Sequence, residues 1–233
     1  MNMKDIDLQD IANRIVYEDN HLLIFDKRAG ELVQGDKTGD TPLLEILKNY
    51  IKITRQKPGN VFLGVTHRLD RPTLGLVIFA KTSKALERIN ALLRTGSISK
   101  TYRAIVEGQL AFGERKILEN NLIKNPKNNK TYVVAPDTPQ SKLAKLEYQC
   151  IQNFDHYSLL EVRLYTGRHH QIRCQLAHLG HCIKGDVKYG AKRANPDGSI
   201  SLQAYQLEFI HPVSKQPICV KSTQSLHLAS KKS

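Results

Sequence analysis

Short apolar or alternating runs, joined by hairpin-length links, recur from Arg14 to Thr223 and outnumber the segments with helical periodicity. Strands that follow one another across tight turns pair antiparallel, so this pattern predicts an α+β chain built on a mostly antiparallel sheet. "RIVYED" and "HLLIFDK" (14–27) read as two strands across an Asp-Asn turn, "VFLGV" (61–65) and "LGLVIFAK" (74–81) as two more, and "KTYRAIVEG" (100–108) as another. "KLEYQCI", "YSLLEVRLYT" and a closing hairpin over "SLQAYQLEFIHP…KQPICVKST" complete the set, while the polar stretch 113–140 reads as a projecting hairpin or loop.

Three segments carry helical patterns. In "DTPLLEILKNYIK" Asp40 or Thr41 is the expected N-cap, with Pro42 in the first turn. "TSKALERINALLRTG" is capped by Thr82 or Ser83 and ended by Gly96, and "GRHHQIRCQLAHLG" is closed by Gly180. No repeat or long linker divides the chain, so residues 1–233 read as one domain, with 1–12 as an N-terminal arm and 224–233 as a flexible tail.

The 35 Lys and Arg residues against 22 Asp and Glu give a formal charge of +13, which points to a polyanionic partner, most simply nucleic acid. No stretch is apolar for long enough to span a membrane, and the polar N-terminus lacks the apolar core of a signal peptide, so a cytoplasmic location is expected. The four cysteines form no CxxC pair. His170, Cys174 and His178 are spaced as ligands on one helical face, yet the same stretch reads as a packed amphipathic helix, and no zinc site is expected.

Two elements bear chemistry. In "THRLDRPTLGLVIFAKT" (66–82) alternation places Arg68 and Asp70 on one face and His67 and Leu69 on the other. Taken alone, this stretch reads better as a surface turn with an ordinary ion pair. "TGRHHQIR" (166–173) brings Arg168, His169, His170 and Arg173 to a helix N-terminus, where free N–H groups and the helix dipole favour an anion such as an RNA phosphate. Arg173 is expected at the border of the buried face, in want of a carboxylate, for which Asp70 is a candidate. Tyr102 shares the inner strand face with Ala104 and Val106. No nucleotide-binding, Ser-His-Asp or metalloprotease pattern is present.

"HRLDRPTLGLVIFAKT", "KTYRAIVEG", "TGRHHQIRCQLAHLGHCIKGDVKYG" and "LEFIHPV", in that order, resemble the RluA-type RNA pseudouridine synthases, as does the opening "IVYEDNHLLIFDKRAGELV". The likeness runs from about Ile15 to Val220, and its two basic motifs are specific as a pair. The resemblance implies an α+β pseudouridine synthase fold with a catalytic cleft across a mostly antiparallel sheet. It implies cleavage of the N1–C1′ bond of a uridine in ribosomal or transfer RNA, rotation of the uracil, and joining of C5 to C1′, without cofactor or metal. By the same resemblance Asp70 is the catalytic carboxylate, as nucleophile or as base. Arg173 is its paired guanidinium, Tyr102 the phenol against the uracil, and Arg68 the wedge that fills the RNA stack when the target base leaves it. Arg168 and His170 are phosphate ligands, and the protein is expected to act as a monomer. The chain departs from the family pattern at Leu74 (usually Ser), at "KRAGEL" (usually "KPAGL"), at His169 (usually Thr or Ser) and at Cys182 (usually Pro).

Two other classes compete with this reading. One is a non-catalytic RNA-binding or ribosome-assembly factor on the same fold, which would have no need of Asp70, Tyr102 and Arg173 together. The other is an RNA hydrolase, which needs a second acid. Asp186, the nearest carboxylate within a motif, has no evident partner in the sequence.

Overall fold

The computed structural model describes residues 7–35 and 39–226, so the first and last residues of the expected arm and tail lie outside the described residues. Those up to Ile98, together with Gln206–Gln224, form one compact unit, and Ser99–Tyr205 form the body of a second.

The first unit opens with a short helix α1 (Leu8–Asn13), whose first backbone N–H groups are capped by the Asp7 carboxylate. Strands β1 (Ile15–Glu18) and β2 (Leu22–Lys27) then pair antiparallel, as expected. The Asp19 side chain makes the turn between them, accepting from the N–H groups of His21 and Leu22 at 2.7 Å each. Helix α2 (Leu43–Thr54) starts at Pro42 without a side-chain cap. The expected cap at Asp40 or Thr41 is therefore corrected: Pro42 itself stands at the N-cap, and the Asp40 carboxylate is taken by Arg71 Nη2 at 2.7 Å.

The expected strand over 61–65 is reduced to β3 (Gly64–Val65), which pairs with β4 (Leu74–Ala80). β4 also pairs with β2, antiparallel. Helix α3 (Ser83–Arg94) follows, with Thr82 Oγ1 accepting from Ala85 N–H as the predicted cap. Strands β10 (Leu202–Ile210) and β11 (Pro217–Lys221) form the closing hairpin, and β10 lies beside β4.

The burial explains why β2 and β4 read as unbroken apolar runs. Leu23, Phe25, Val77 and Phe79 pack towards α2 residues Leu43, Leu47 and Ile51. Leu22, Ile24, Leu76 and Ile78 pack on the other face with Ala85 and Ile89 of α3. Both faces are covered, so no polar alternation is needed.

In the second unit β5 (Ser99–Glu107), β9 (Tyr157–Leu164), β8 (Lys142–Asn153), β6 (Arg115–Asn125) and β7 (Lys130–Val134) lie side by side in that order, each pair antiparallel. The polar stretch thus folds as the expected hairpin, β6–β7. Helix α4 (Gln171–His178) packs on β6 and β7. The α+β, mostly antiparallel expectation holds. Among the described residues no helix is long and apolar enough to cross a membrane.

Candidate active site

The segment before β4 is fastened so that its alternate residues part company. Thr66 Oγ1 donates to the Ile78 carbonyl at 2.7 Å, and Ile78 N–H donates to His67 Nε2 at 3.2 Å. Leu69 packs on the apolar core facing α2, while Arg68 is exposed and Asp70 half-buried. Leu69 is thus held inward while Arg68 is exposed, although 66–70 is irregular rather than the strand that the alternation assumed.

A turn follows, closed by Thr73 N–H on the Asp70 carbonyl at 3.0 Å. Arg71, to which the sequence gives no role, staples it. Its Nε donates to the Gly30 carbonyl at 3.0 Å, and its own carbonyl accepts from Gly30 N–H at 2.8 Å. Gly30 meets Arg71 with a φ of +89°, a conformation costly for other residues.

Lys27 was missed by sequence reasoning, which saw only the end of a strand. It is fully buried, and its Nζ donates to the carbonyls of Arg28 at 2.9 Å, Arg71 at 3.1 Å and Thr73 at 2.6 Å. One ammonium thus gathers the carbonyls of two residues of the turn that follows Asp70. Burial pushes the Lys27 ammonium down to about 8, against the pull of Glu31 and Asp70 and with Arg71 adding to the fall. Its neighbour Asp26 is equally buried and accepts from Ser222 Oγ at 2.8 Å, Thr223 N–H at 2.8 Å and Gln224 Nε2 at 2.7 Å. The available signal was a charged pair ending a strand with no exposed position.

In the second unit Tyr102 lies on β5 opposite Val162, buried with Ala104 and Val106 on the expected inner face. Six of the eight α4 residues are buried, Arg173 among them, which corrects its expected place at the border of the buried face. Its Nε meets Asp186 Oδ2 at 2.7 Å and its Nη2 meets Asp186 Oδ1 at 2.9 Å. Asp186, partnerless in the sequence reading, is therefore a ligand of Arg173. It follows Gly185, where an added side chain would meet the Ser199 carbonyl at 2.8 Å, and it precedes a single 3-10 turn, Val187–Tyr189.

That turn delivers Tyr189, also missed, whose ring lies 5.1 Å from the Arg173 guanidinium carbon. The Tyr189 oxygen accepts from Thr131 N–H of β7 at 2.8 Å and lies 2.9 Å from His170 Nδ1. The Tyr189 oxygen thus joins the backbone of β7 to the His170 ring at the start of α4. Burial pushes the phenol up to about 12.

His170 caps α4 in a left-handed conformation, φ 51°, and is only 9% exposed. His169 stacks on it with ring centres 3.8 Å apart. Thr131 Oγ1 donates to the His169 carbonyl at 3.0 Å and lies 2.9 Å from His169 Nδ1. This gives the unusual His169 a job, holding the β6–β7 hairpin to the start of α4. Cys182 likewise places its Sγ 3.2 Å from the Tyr189 carbonyl. Nothing in the structure explains Leu74.

Arg168 is exposed, with Nε on the Leu143 carbonyl at 2.9 Å and its backbone N–H on Gln171 Oε1 at 3.0 Å. Cys174 packs among Leu122, Ala144 and Tyr189, and burial pushes its thiol up to about 11. The six residues singled out from the sequence thus fall into two groups. Arg68 and Asp70 stand on one segment of the first unit, while Tyr102, Arg168, His170 and Arg173 belong to the second, the last three at or near the start of α4.

Residues 21–178 match the family model described as RNA pseudouridylate synthase. The chain is 30% identical over 225 residues to the "Ribosomal large subunit pseudouridine synthase C" of Vibrio cholerae, covering 94% of this chain and 68% of that one. It is 34% identical over 217 residues to the "Ribosomal large subunit pseudouridine synthase D" of Nitrosomonas europaea, covering 88% and 60%. The fold is similar to that of "Human RNA Pseudouridylate Synthase Domain Containing 4", with a TM-score of 0.76 at 20% identity over 94% of this chain and 91% of the other. The motif pair, the fold and these matches converge, and the chain belongs to the RNA pseudouridylate synthase family of isomerases.

Proposed function

We propose that this chain converts uridine to pseudouridine at defined positions of ribosomal RNA, with Asp70 as the catalytic carboxylate. The observation that carries the assignment is the build of the 66–73 segment. His67 and Leu69 fasten it inward, Lys27 and Arg71 hold the turn behind it, and Arg68 is exposed beside a half-buried Asp70. The relatives named for the large ribosomal subunit support the choice of RNA, and the charge of +13 suits a polyanionic substrate.

The reaction is an isomerisation: the N1–C1′ bond breaks, a C5–C1′ bond forms, C5 loses a proton and N1 gains one. No external redox partner is needed for that balance. Asp70 starts it, either by attack or by taking a proton from the sugar. Tyr102 lies against the uracil and handles the C5 proton, Arg173 is the guanidinium that accompanies the carboxylate, and Arg68 fills the stack left by the flipped base. Arg168, with guanidinium nitrogens beyond the Nε given to Leu143, is a phosphate ligand at the start of α4, and His170 is a second. The enzyme acts as a monomer in the cytoplasm, where its ribosomal substrate is made.

The test is Asp70→Asn and Asp70→Ala, assayed on total RNA from cells lacking the gene. Both variants are expected to fold and bind RNA while forming no pseudouridine. Activity in either removes Asp70 from the mechanism. Mapping pseudouridine in RNA from cells with and without the gene names the uridine, and a lost site outside ribosomal RNA overturns the substrate.

A further inference from the structure

Four charged residues of the first unit close into a ring, one edge of it through a backbone N–H, beside the turn that carries Asp70. Arg14, buried at the end of α1, gives Nη1 to Glu31 Oε1 at 2.8 Å and Nη2 to Asp10 Oδ2 at 2.9 Å. Arg28 gives Nη2 to Asp10 Oδ1 at 2.6 Å and its backbone N–H to Glu31 Oε2 at 2.8 Å. Each carboxylate is therefore held from both arginines, and the ring has no net charge.

The 27–31 loop lies between this ring and the Asp70 turn. On one side Arg28 and Glu31 face α1. On the other, Gly30 N–H meets the Arg71 carbonyl at 2.8 Å, and Lys27 Nζ joins the carbonyls of Arg28, Arg71 and Thr73. Through these hydrogen bonds a shift of the loop is transmitted to residues 71 and 73. Arg28 and Glu31 are also two of the positions at which this loop departs from the proline-stiffened pattern noted above. A proline would restrain φ there, and in its absence hydrogen bonds from the loop's own backbone and side chains restrain it.

The geometry points to Asp10, Arg14, Arg28 and Glu31 as a charge clamp through which helix α1 sets the position of Asp70. They are positioning residues, acting through the 27–31 loop, and the inference rests on the reading of Asp70 as the catalytic carboxylate. The clamp also explains why a short helix with a single buried apolar residue, Ile11, is tied down at all.

The experiment uses the full chain and total RNA from cells lacking the gene, with single-turnover rates at saturating enzyme and RNA affinity by filter binding. Arg28→Gln alters a side chain that is 56% exposed, so the variant folds. It and Glu31→Gln are expected to slow the single-turnover rate about tenfold, since small misplacements of a reacting group are costly, with affinity kept within about twofold. Glu31→Asp, which keeps the charge, recovers most of the rate. Asp10→Asn added to Glu31→Gln slows it little further, because both open one ring. Wild-type rates in Arg28→Gln and Glu31→Gln, with the native enzyme active and Asp70→Asn dead, overturn the clamp. So does a loss of affinity with the saturated rate intact, which would make these residues RNA contacts. An inactive native enzyme or an active Asp70→Asn overturns the proposed function instead.

Discussion

Arg173 and Asp186 face each other as a two-point ion pair, 2.7 and 2.9 Å long, with side chains only 5% and 1% exposed. A pair this deeply buried is worth little against an apolar replacement, but breaking it strands a charge.

Arg173→Ala is therefore expected to destabilise the protein by about 3–5 kcal/mol, chiefly by leaving Asp186 uncompensated. Asp186→Asn is expected to cost a similar amount. Urea unfolding checks both, and the double variant Arg173→Met/Asp186→Leu should lose less than Arg173→Ala alone. A fully stable Arg173→Ala protein would contradict the pairing.

Lys27 predicts a pH dependence of stability. Its folded value of about 8 lies below the ordinary 10.5, so between those values the unfolded chain holds the proton more tightly. Stability from this group is then lowest below pH 8 and rises as pH goes from about 8 to about 10.5. Unfolding free energies at pH 7.5 and 10 should show that rise in the native protein, and Lys27→Met should remove it.

Tyr189→Phe keeps the ring beside Arg173 but leaves Thr131 N–H without its acceptor, at an expected cost of about 1–3 kcal/mol. Hydrogen exchange gives a local check: protection should fall at the Thr131 amide and in the β7 residues around it, while β5 is unchanged. Equal protection in native and variant protein would show that the phenol does not hold the hairpin.

Arg68 is exposed, so Arg68→Ala should unfold at the native temperature. Its expected effect is on turnover of structured RNA, with affinity in the ground state nearly kept. A loss confined to affinity would mark it as a phosphate contact rather than a wedge for base flipping.

Features decided within a few residues were legible in the sequence. The Asp19 turn, the Thr82 cap and the polar hairpin 115–134 each follow from neighbours in the chain. The motif pair around Asp70 and Arg173 was legible too. Tertiary structure alone decided which charges meet. Asp40 had the right place and chemistry for a cap, yet Arg71, thirty-one residues on, takes its carboxylate. Lys27 finds carbonyls 44 and 46 residues away, and Asp26 is held by donors almost two hundred residues on. A buried charge has to be paired or hydrogen-bonded wherever the packed chain brings a partner, and that choice is made by the fold rather than by sequence spacing.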